Sequence, residues 1–309
     1  MFKAKSKKLI DDKKLIKFNE NVHNKIYGSY DIKHKEEIFS SIEQQRLQNS
    51  LQRAVNFLDK SIKIYKGLDL GCGTGNLTNH LLKLGINVTA ADISNKFLDI
   101  VNSKYGKNNS LTILKINGSD LSNISDNSFD IIALYAVLHH VPDYIKIVKE
   151  LIRVCKLGGI IYIDHEVNDF YWSPNNYYLD LIKKANKKNK SKKWKKYFRL
   201  SNYFNKITEF LKNVFFKSLP RNNPLNPRYQ PDGDIHVWKD DHIEWNKIIE
   251  ELKNANFEIV VNEDFLLYKE KYSMDFYNEY KNKCSDYKVL VAKKKKYIKL
   301  LFEFKKDEI

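Results

Sequence analysis

The sequence predicts an α/β fold, a doubly wound sheet of about seven strands, mostly parallel with an antiparallel edge strand, plus a helical insertion. Two observations carry this. From residue 64 onward, short apolar runs alternate with segments of helical period, and a glycine-rich turn stands where the first strand meets the first helix. Alternation of that kind means parallel strands covered by helices on both faces.

Ahead of the sheet, Gln44 to Leu58 sets Leu47, Leu51, Val55 and Leu58 on one helical face. Strand Ile64 to Leu70, helix Asn76 to Lys83, strand Asn87 to Ala91, helix Asn95 to Tyr105 and strand Leu111 to Ile116 follow. Strand Phe129 to Tyr135, helix Asp143 to Cys155 and strand Gly159 to Asp164 continue the alternation. Between about Val167 and Asp240 it breaks, with turn signals at Ser173-Pro174, Pro220, Pro224, Pro227 and Pro231-Asp232-Gly233. It resumes at Asp241-His242-Ile243-Glu244, a capping-box pattern that opens a helix through Ala255. Strands Phe257 to Leu267 and Tyr287 to Ala292, with a helical segment around Met274 to Asn282 between them, close the sheet as an antiparallel pair. The chain thus divides into an N-terminal helical segment (1–60), a core (61–166), an insertion acting as a substrate lid (167–240), the C-terminal part of the sheet (241–292) and a basic tail (293–309).

The composition excludes several classes. With 42% hydrophobic residues over 309 positions the chain can bury a substantial core, which excludes a wholly disordered or collagen-like protein. Cys72, Cys155 and Cys284 are odd in number and form no CxxC pair, so neither a disulfide framework nor a structural zinc site is expected. No apolar run approaches a membrane span and Met1 to Phe18 lacks a secretion signal's apolar stretch, so a cytoplasmic location is expected. The formal charge of +16 is compatible with anionic partners, yet only six of the 54 basic residues are arginine. Lysine lacks arginine's bidentate fork for phosphate and guanine, so a nucleic-acid partner is not expected.

The strongest motif is Leu68-Asp69-Leu70-Gly71-Cys72-Gly73-Thr74-Gly75-Asn76 at the first strand-to-helix junction. Glycine there permits close approach of a ligand across the carboxyl edge of the sheet. Asp92 ends the second strand, where a ribose diol needs an acceptor. The glycines at 71, 73 and 75 with Asn76 after them depart from the GxGxxG of dinucleotide binding.

The sequence resembles the class I S-adenosylmethionine-dependent methyltransferases, in particular the small-molecule branch that includes the quinone-biosynthesis C-methyltransferases. The resemblance continues through Asn117-Gly118-Ser119-Asp120-Leu121, Asp126-Asn127-Ser128-Phe129-Asp130, Leu138-His139-His140-Val141-Pro142-Asp143 and Arg153-Val154-Cys155-Lys156-Leu157-Gly158-Gly159, with Leu157 where the family carries proline. It covers about Ile64 to Asp164 and extends more weakly over Asp241 to Ala292. It implies a Rossmann-like fold and S-adenosyl-L-methionine as methyl donor. By the same resemblance, Asp69 and the backbone of Gly71, Gly73 and Gly75 hold the methionine end, and Asp92 takes the ribose hydroxyls. Ile93 packs on the adenine ring, while Asp120 and the backbone of Leu121 address its amino edge.

Methyl transfer to a phenol, enol or acidic carbon needs a base, and a histidine titrating near neutrality suits the task. His139 and His140 follow the fourth strand, and Asp164-His165-Glu166 ends the fifth at the same rim. His236, in Asp232-Gly233-Asp234-Ile235-His236-Val237-Trp238, is placed to fold back over an acceptor. No second ligand cluster of recognised spacing accompanies this segment, so no metal is expected. Tyr27 and Tyr30 are candidates to close over a sulfonium, with ordinary packing as the alternative.

Lys183 to Arg199 holds ten basic residues, and Trp194, Tyr197, Phe198, Phe204, Ile207, Leu211, Val214 and Phe215 recur at mostly helical steps. A lid packed on the domain is the expectation for this basic amphipathic stretch, with peripheral membrane contact through 183–216 as the alternative. The sequence therefore points to methyl transfer onto oxygen or carbon of a small or lipid-like acceptor. An RNA-directed methyltransferase and a non-catalytic S-adenosylmethionine-binding protein are the alternatives.

Overall fold

Fully buried strands need long apolar runs, and Phe129–Tyr135, buried at every position, is the centre of the sheet. The computed structural model describes residues 11–197 and 233–296, with side chains through residue 187 of the first stretch. Strand β1 (Lys66–Leu70) pairs in parallel with β2 (Asn87–Asp92) on one side and β4 (Phe129–Tyr135) on the other. Strand β3 (Leu111–Lys115) extends the sheet beyond β2, and β5 (Cys155–Val167) beyond β4, both parallel. Two short strands, β6 (Val237–Trp238) and β7 (Asp241–His242), form a separate hairpin. With β8 (Phe257–Phe265) and β9 (Tyr287–Lys294) the main sheet reads β3-β2-β1-β4-β5-β9-β8. The winding direction reverses between β1 and β4, which opens a ligand crevice at their carboxyl ends.

The closing pair forms as the sequence predicts, antiparallel at the end of the sheet. Strand β9 runs antiparallel to both β5 and β8, so the antiparallel strand lies one position inside the edge and β8 is the edge. The link between Phe265 and Tyr287, which carries α10 (Ser273–Tyr280), returns the chain antiparallel beside β8, and β9 then has both neighbours to satisfy its backbone.

Helices α1 (Asp12–Ile26), α2 (Tyr30–Lys33) and α3 (Ser41–Val55) precede the sheet. Helix α4 (Asn76–Lys83) follows β1, and its N-cap is Gly75 at φ 89, a left-handed conformation that favours glycine. Helix α5 (Asn95–Tyr105) starts where the Ser94 hydroxyl accepts from Phe97 N at 3.2 Å. Helix α6 (Tyr144–Val154) is capped by Asp143, which accepts from Lys146 N at 2.9 Å. Beyond β5 come α7 (Asp169–Trp172), α8 (Asn176–Tyr197) and, after the hairpin, α9 (Trp245–Asn254).

Leu47, Leu51, Leu77 and Leu81 from α3 and α4 cover one sheet face, and Ile147, Val148, Leu151, Trp245, Ile248 and Leu252 from α6 and α9 cover the other. Each such side chain contributes about 2 kcal/mol by leaving water. The capping box read at Asp241 does not form. Asp241 belongs to β7 and Glu244 is the N-cap residue of α9, without a side-chain cap bond. No helix among the described residues is long and apolar enough to cross a membrane. The sequence-predicted amphipathic stretch beyond residue 197, Asp232 and most of the basic tail lie outside the described residues.

Candidate active site

The glycine turn after β1 is held by Ala91, whose carbonyl accepts from Gly71 N at 2.8 Å and Cys72 N at 3.0 Å. Gly71 has φ 69, and a Cβ there would stand 2.7 Å from Val137 Cγ2, so this position excludes every side chain. At Gly73, φ 51, a Cβ would meet nothing within 4 Å, because the residue borders open space. That space is a cavity of about 100 Å³ bounded by Gly71, Gly73, Asp92, Ile93, Phe97, Asp120, His140 and, from α1, Ile16, Asn19 and His23.

Asp92 reaches this cavity from the end of β2. It is 5% exposed, accepts from Gly73 N at 2.9 Å through Oδ2 and from Ser94 N at 2.7 Å through Oδ1. Burial pushes its carboxyl up to about 6 against those hydrogen bonds. Each oxygen keeps a lone pair for a hydroxyl. Ile93, Ile116, Phe97, Val141, Pro142 and Ile147 form an apolar slot beside it, with Asp120 among its lining residues. Asp120 is oriented by Asn117 Nδ2 at 2.8 Å and Ser122 Oγ at 2.8 Å, which lower its pKa.

No sequence signal marks Asn19. Its Nδ2 donates to the His140 carbonyl at 2.8 Å, while its buried Oδ1 has no hydrogen-bond partner. That oxygen faces Gly233, where a Cβ would stand 2.8 Å from it, and not the open space of the cavity. The glycine turn, the diol acceptor and the apolar slot together fit an adenosyl group.

Three expected contacts are not brought to this cavity. Asp69 is buried beneath the loop, accepting from Thr78 Oγ1 at 2.5 Å, and so ties α4 to β1. Gly75 turns away, since a Cβ there would lie 2.9 Å from the Tyr105 ring. The Leu121 N–H is taken by Glu150 Oε2 at 2.9 Å, and its side chain is fully buried. Burial, aided by the Asp92 charge, pushes Asp69 up to about 7 against the Thr78 bond. An acid whose pKa is raised on folding destabilises increasingly as pH climbs from its unfolded value of about 4 to its folded one. Asp69→Asn is therefore expected to raise the melting temperature at pH 8, with the gain fading toward pH 4. A thermal melt series checks this, and a pH-independent loss would contradict it.

A second cavity of about 270 Å³ adjoins the first and shares His23, Tyr30, Ala136 and His140 with it. Its rim is set by two backbone irregularities. Ala136 leaves β4 at φ 58, and His165 sits at φ 63 where the pairing of β5 with β9 shifts register between Asp164 and Glu166. An extra residue in a strand re-aims the next side chain. Glu166, 2% exposed, thus accepts from Val137 N at 2.8 Å, Leu138 N at 2.7 Å and, through Oε2, from His139 Nδ1 at 2.7 Å. Burial alone would lower the His139 pKa, but the Glu166 charge raises it to about 9. Burial and the neighbouring His139 push His140 down to about 4.

Behind this rim, Arg46 of α3 donates to Glu43 at 2.8 and 2.6 Å and to Asp164 at 2.8 Å, fixing the end of β5. His236 also reaches the cavity wall, yet its ring is spent: Nδ1 meets Asp241 at 2.7 Å and Nε2 meets the Val141 carbonyl at 3.0 Å. It pins the hairpin: the residue read as folding back over an acceptor does line the larger cavity, with both ring nitrogens partnered. Tyr30 lines both cavities, whereas Tyr27 is 41% exposed outside them.

Residues 68–163 match the family described as a methyltransferase domain. The fold and the glycine-turn cavity accord with that match, which runs from β1 into β5. A demethylmenaquinone methyltransferase of Bacillus pumilus is 31% identical over 137 residues, 41% of this chain and 58% of that protein. A ubiquinone biosynthesis O-methyltransferase of Methylococcus capsulatus is 30% identical over 99 residues, 31% of this chain and 41% of that protein. The chain spans about half the length of the curated relatives it matches. A solved S-adenosylmethionine-dependent methyltransferase of Methanosarcina mazei aligns over 78% of this chain and 96% of its own, at 21% identity and a TM-score of 0.47.

Proposed function

We propose that this chain transfers a methyl group from S-adenosylmethionine to an oxygen or carbon of a small, flat, ionisable acceptor. One observation carries the proposal: a cavity suited to the donor stands beside a larger one, the two sharing His23, Tyr30, Ala136 and His140. When bound, the donor supplies a methyl group on a positively charged sulfur, and the protein's share is to align the acceptor and keep water out.

The larger cavity supports a ring-shaped acceptor. Tyr30, Tyr171, Trp172 and Tyr287 offer flat faces, and His139 and His140 bring ring nitrogens to its wall. A nucleophilic oxygen or carbon reacts as its anion, so groups that bind that anion belong beside it. Relatives named for menaquinone and ubiquinone synthesis support an acceptor of quinone-precursor type. Phe170, Tyr177 and Leu179 are each more than half exposed next to the cavity residues Tyr171 and Trp172. That face supports peripheral membrane contact by a cytoplasmic enzyme taking a lipid-like acceptor.

Incubation with methyl-labelled S-adenosylmethionine and a panel of phenols, catechols and reduced quinones, followed by mass analysis, tests the reading. One class of acceptor is expected to gain a single methyl group. Donor binding with no transfer across the panel, and none into a metabolite extract, would favour a non-catalytic binding protein.

A further inference from the structure

We infer that His139, His140 and Asp234 form a binding site for a divalent transition-metal ion on the wall between the two cavities. The three residues each place one ligand atom so that all lie within 4.8 Å of one another. His139 Nε2 stands 3.9 Å and His140 Nδ1 3.4 Å from the same Asp234 oxygen. The first separation is too long for a hydrogen bond, and the buried His140 Nδ1 has no hydrogen-bond partner. Two nitrogens aimed at one carboxylate oxygen without bonding it leave room for an ion between them. Ligands bound at metal distances of about 2.0–2.2 Å stand roughly 3.3 Å apart, so small rotations complete the set.

The surroundings of the cluster support this assignment. His139 Nδ1 is engaged by the buried Glu166 at 2.7 Å, which fixes the ring and directs Nε2 toward Asp234. A carboxylate on the far nitrogen of a ligating histidine is the usual support of a metal site. Asp234 is held in place by the chain after it, since Ile235 N and His236 N both donate to the His139 carbonyl, at 2.9 and 3.1 Å. The ion would replace the proton on His139 Nε2 and balance the charges of Glu166 and Asp234. Two imidazoles and one carboxylate suit zinc or its first-row neighbours and leave positions open. An acceptor oxygen in an open position would lose its proton more readily, because a bound cation stabilises the anion. This last step rests on the proposed methyl transfer, whereas the binding site does not.

The test uses the full chain, stripped with a chelator and titrated with Co²⁺ followed by visible absorption, then with Zn²⁺ in competition. One equivalent of Co²⁺ per chain with a ligand-field band, displaced by Zn²⁺, is expected. Asp234→Asn, which keeps the side chain's shape, and His140→Ala should each weaken binding on the order of 100-fold, while His242→Gln leaves it unchanged. Substoichiometric binding by the unaltered chain, or affinity indifferent to Asp234→Asn, would overturn the site. If metal binds and no acceptor is methylated, the site stands and the functional reading fails. If methylation proceeds in stripped protein that binds no metal, the reverse holds.

Discussion

Asp92→Ala is expected to weaken S-adenosylmethionine binding by more than tenfold, a loss of at least about 1.4 kcal/mol, measured by titration calorimetry. The carboxylate stands at the end of β2 with one lone pair per oxygen left after its bonds to Gly73 N and Ser94 N. Those oxygens match two ribose hydroxyls, and charge-assisted bonds of this kind are the stronger ones. The same substitution frees two backbone donors, so some stability is lost as well. Asp92→Asn separates the effects: it keeps the bulk and one acceptor oxygen, and affinity should fall with a smaller drop in melting temperature. Affinity within twofold of the unaltered protein in both variants would remove Asp92 from the site.

Glu166→Gln is expected to lower methyl transfer by about 10- to 100-fold while donor affinity stays within about twofold. The carboxylate has three donors, Val137 N, Leu138 N and His139 Nδ1, and none of them belongs to the glycine turn. An amide retains one acceptor oxygen but presents N–H groups to one of the other donors, so His139 loses its orientation. Glu166→Ala leaves all three unpaired in a buried place, and a loss of about 3 kcal/mol in stability is expected from urea unfolding. Steady-state rates at saturating donor and the unfolding curves check both statements. A Glu166→Gln enzyme with unchanged turnover would detach the His139 and Glu166 pair from the reaction.

Local signals were legible wherever the element depends on its own residues. Helices Asn76–Lys83 and Asn95–Tyr105 keep the bounds read from the sequence, because Gly75 and Ser94 set their starts by backbone conformation and side-chain capping. The site was legible in part for the same reason: Gly71, Gly73, Asp92, Ile93 and Asp120 lie at strand ends or in the turns after them and line the cavity. What depends on tertiary register was not. Strand β5 runs past Asp164 to Val167 because β9 pairs along its end, and the irregularity at His165 then turns Glu166 toward His139. Periodicity carries no signal for such a shift. Asn19 and His23 become cavity walls only when α1 packs beside α5, and Asp234 meets His139 only when the chain after Gly233 returns to the rim. Asp241 illustrates the converse, since a capping pattern yielded to a hairpin in which Asp241 holds His236.

A crystal structure of the full chain with S-adenosylhomocysteine tests the central claim most directly. Density is expected in the smaller cavity, with the ribose on Asp92, the purine between Ile93 and Val141, and the sulfur directed past Ala136 and His140 toward the larger cavity. Density elsewhere on the protein, or none at saturating concentration, would contradict the assignment of that cavity to the methyl donor.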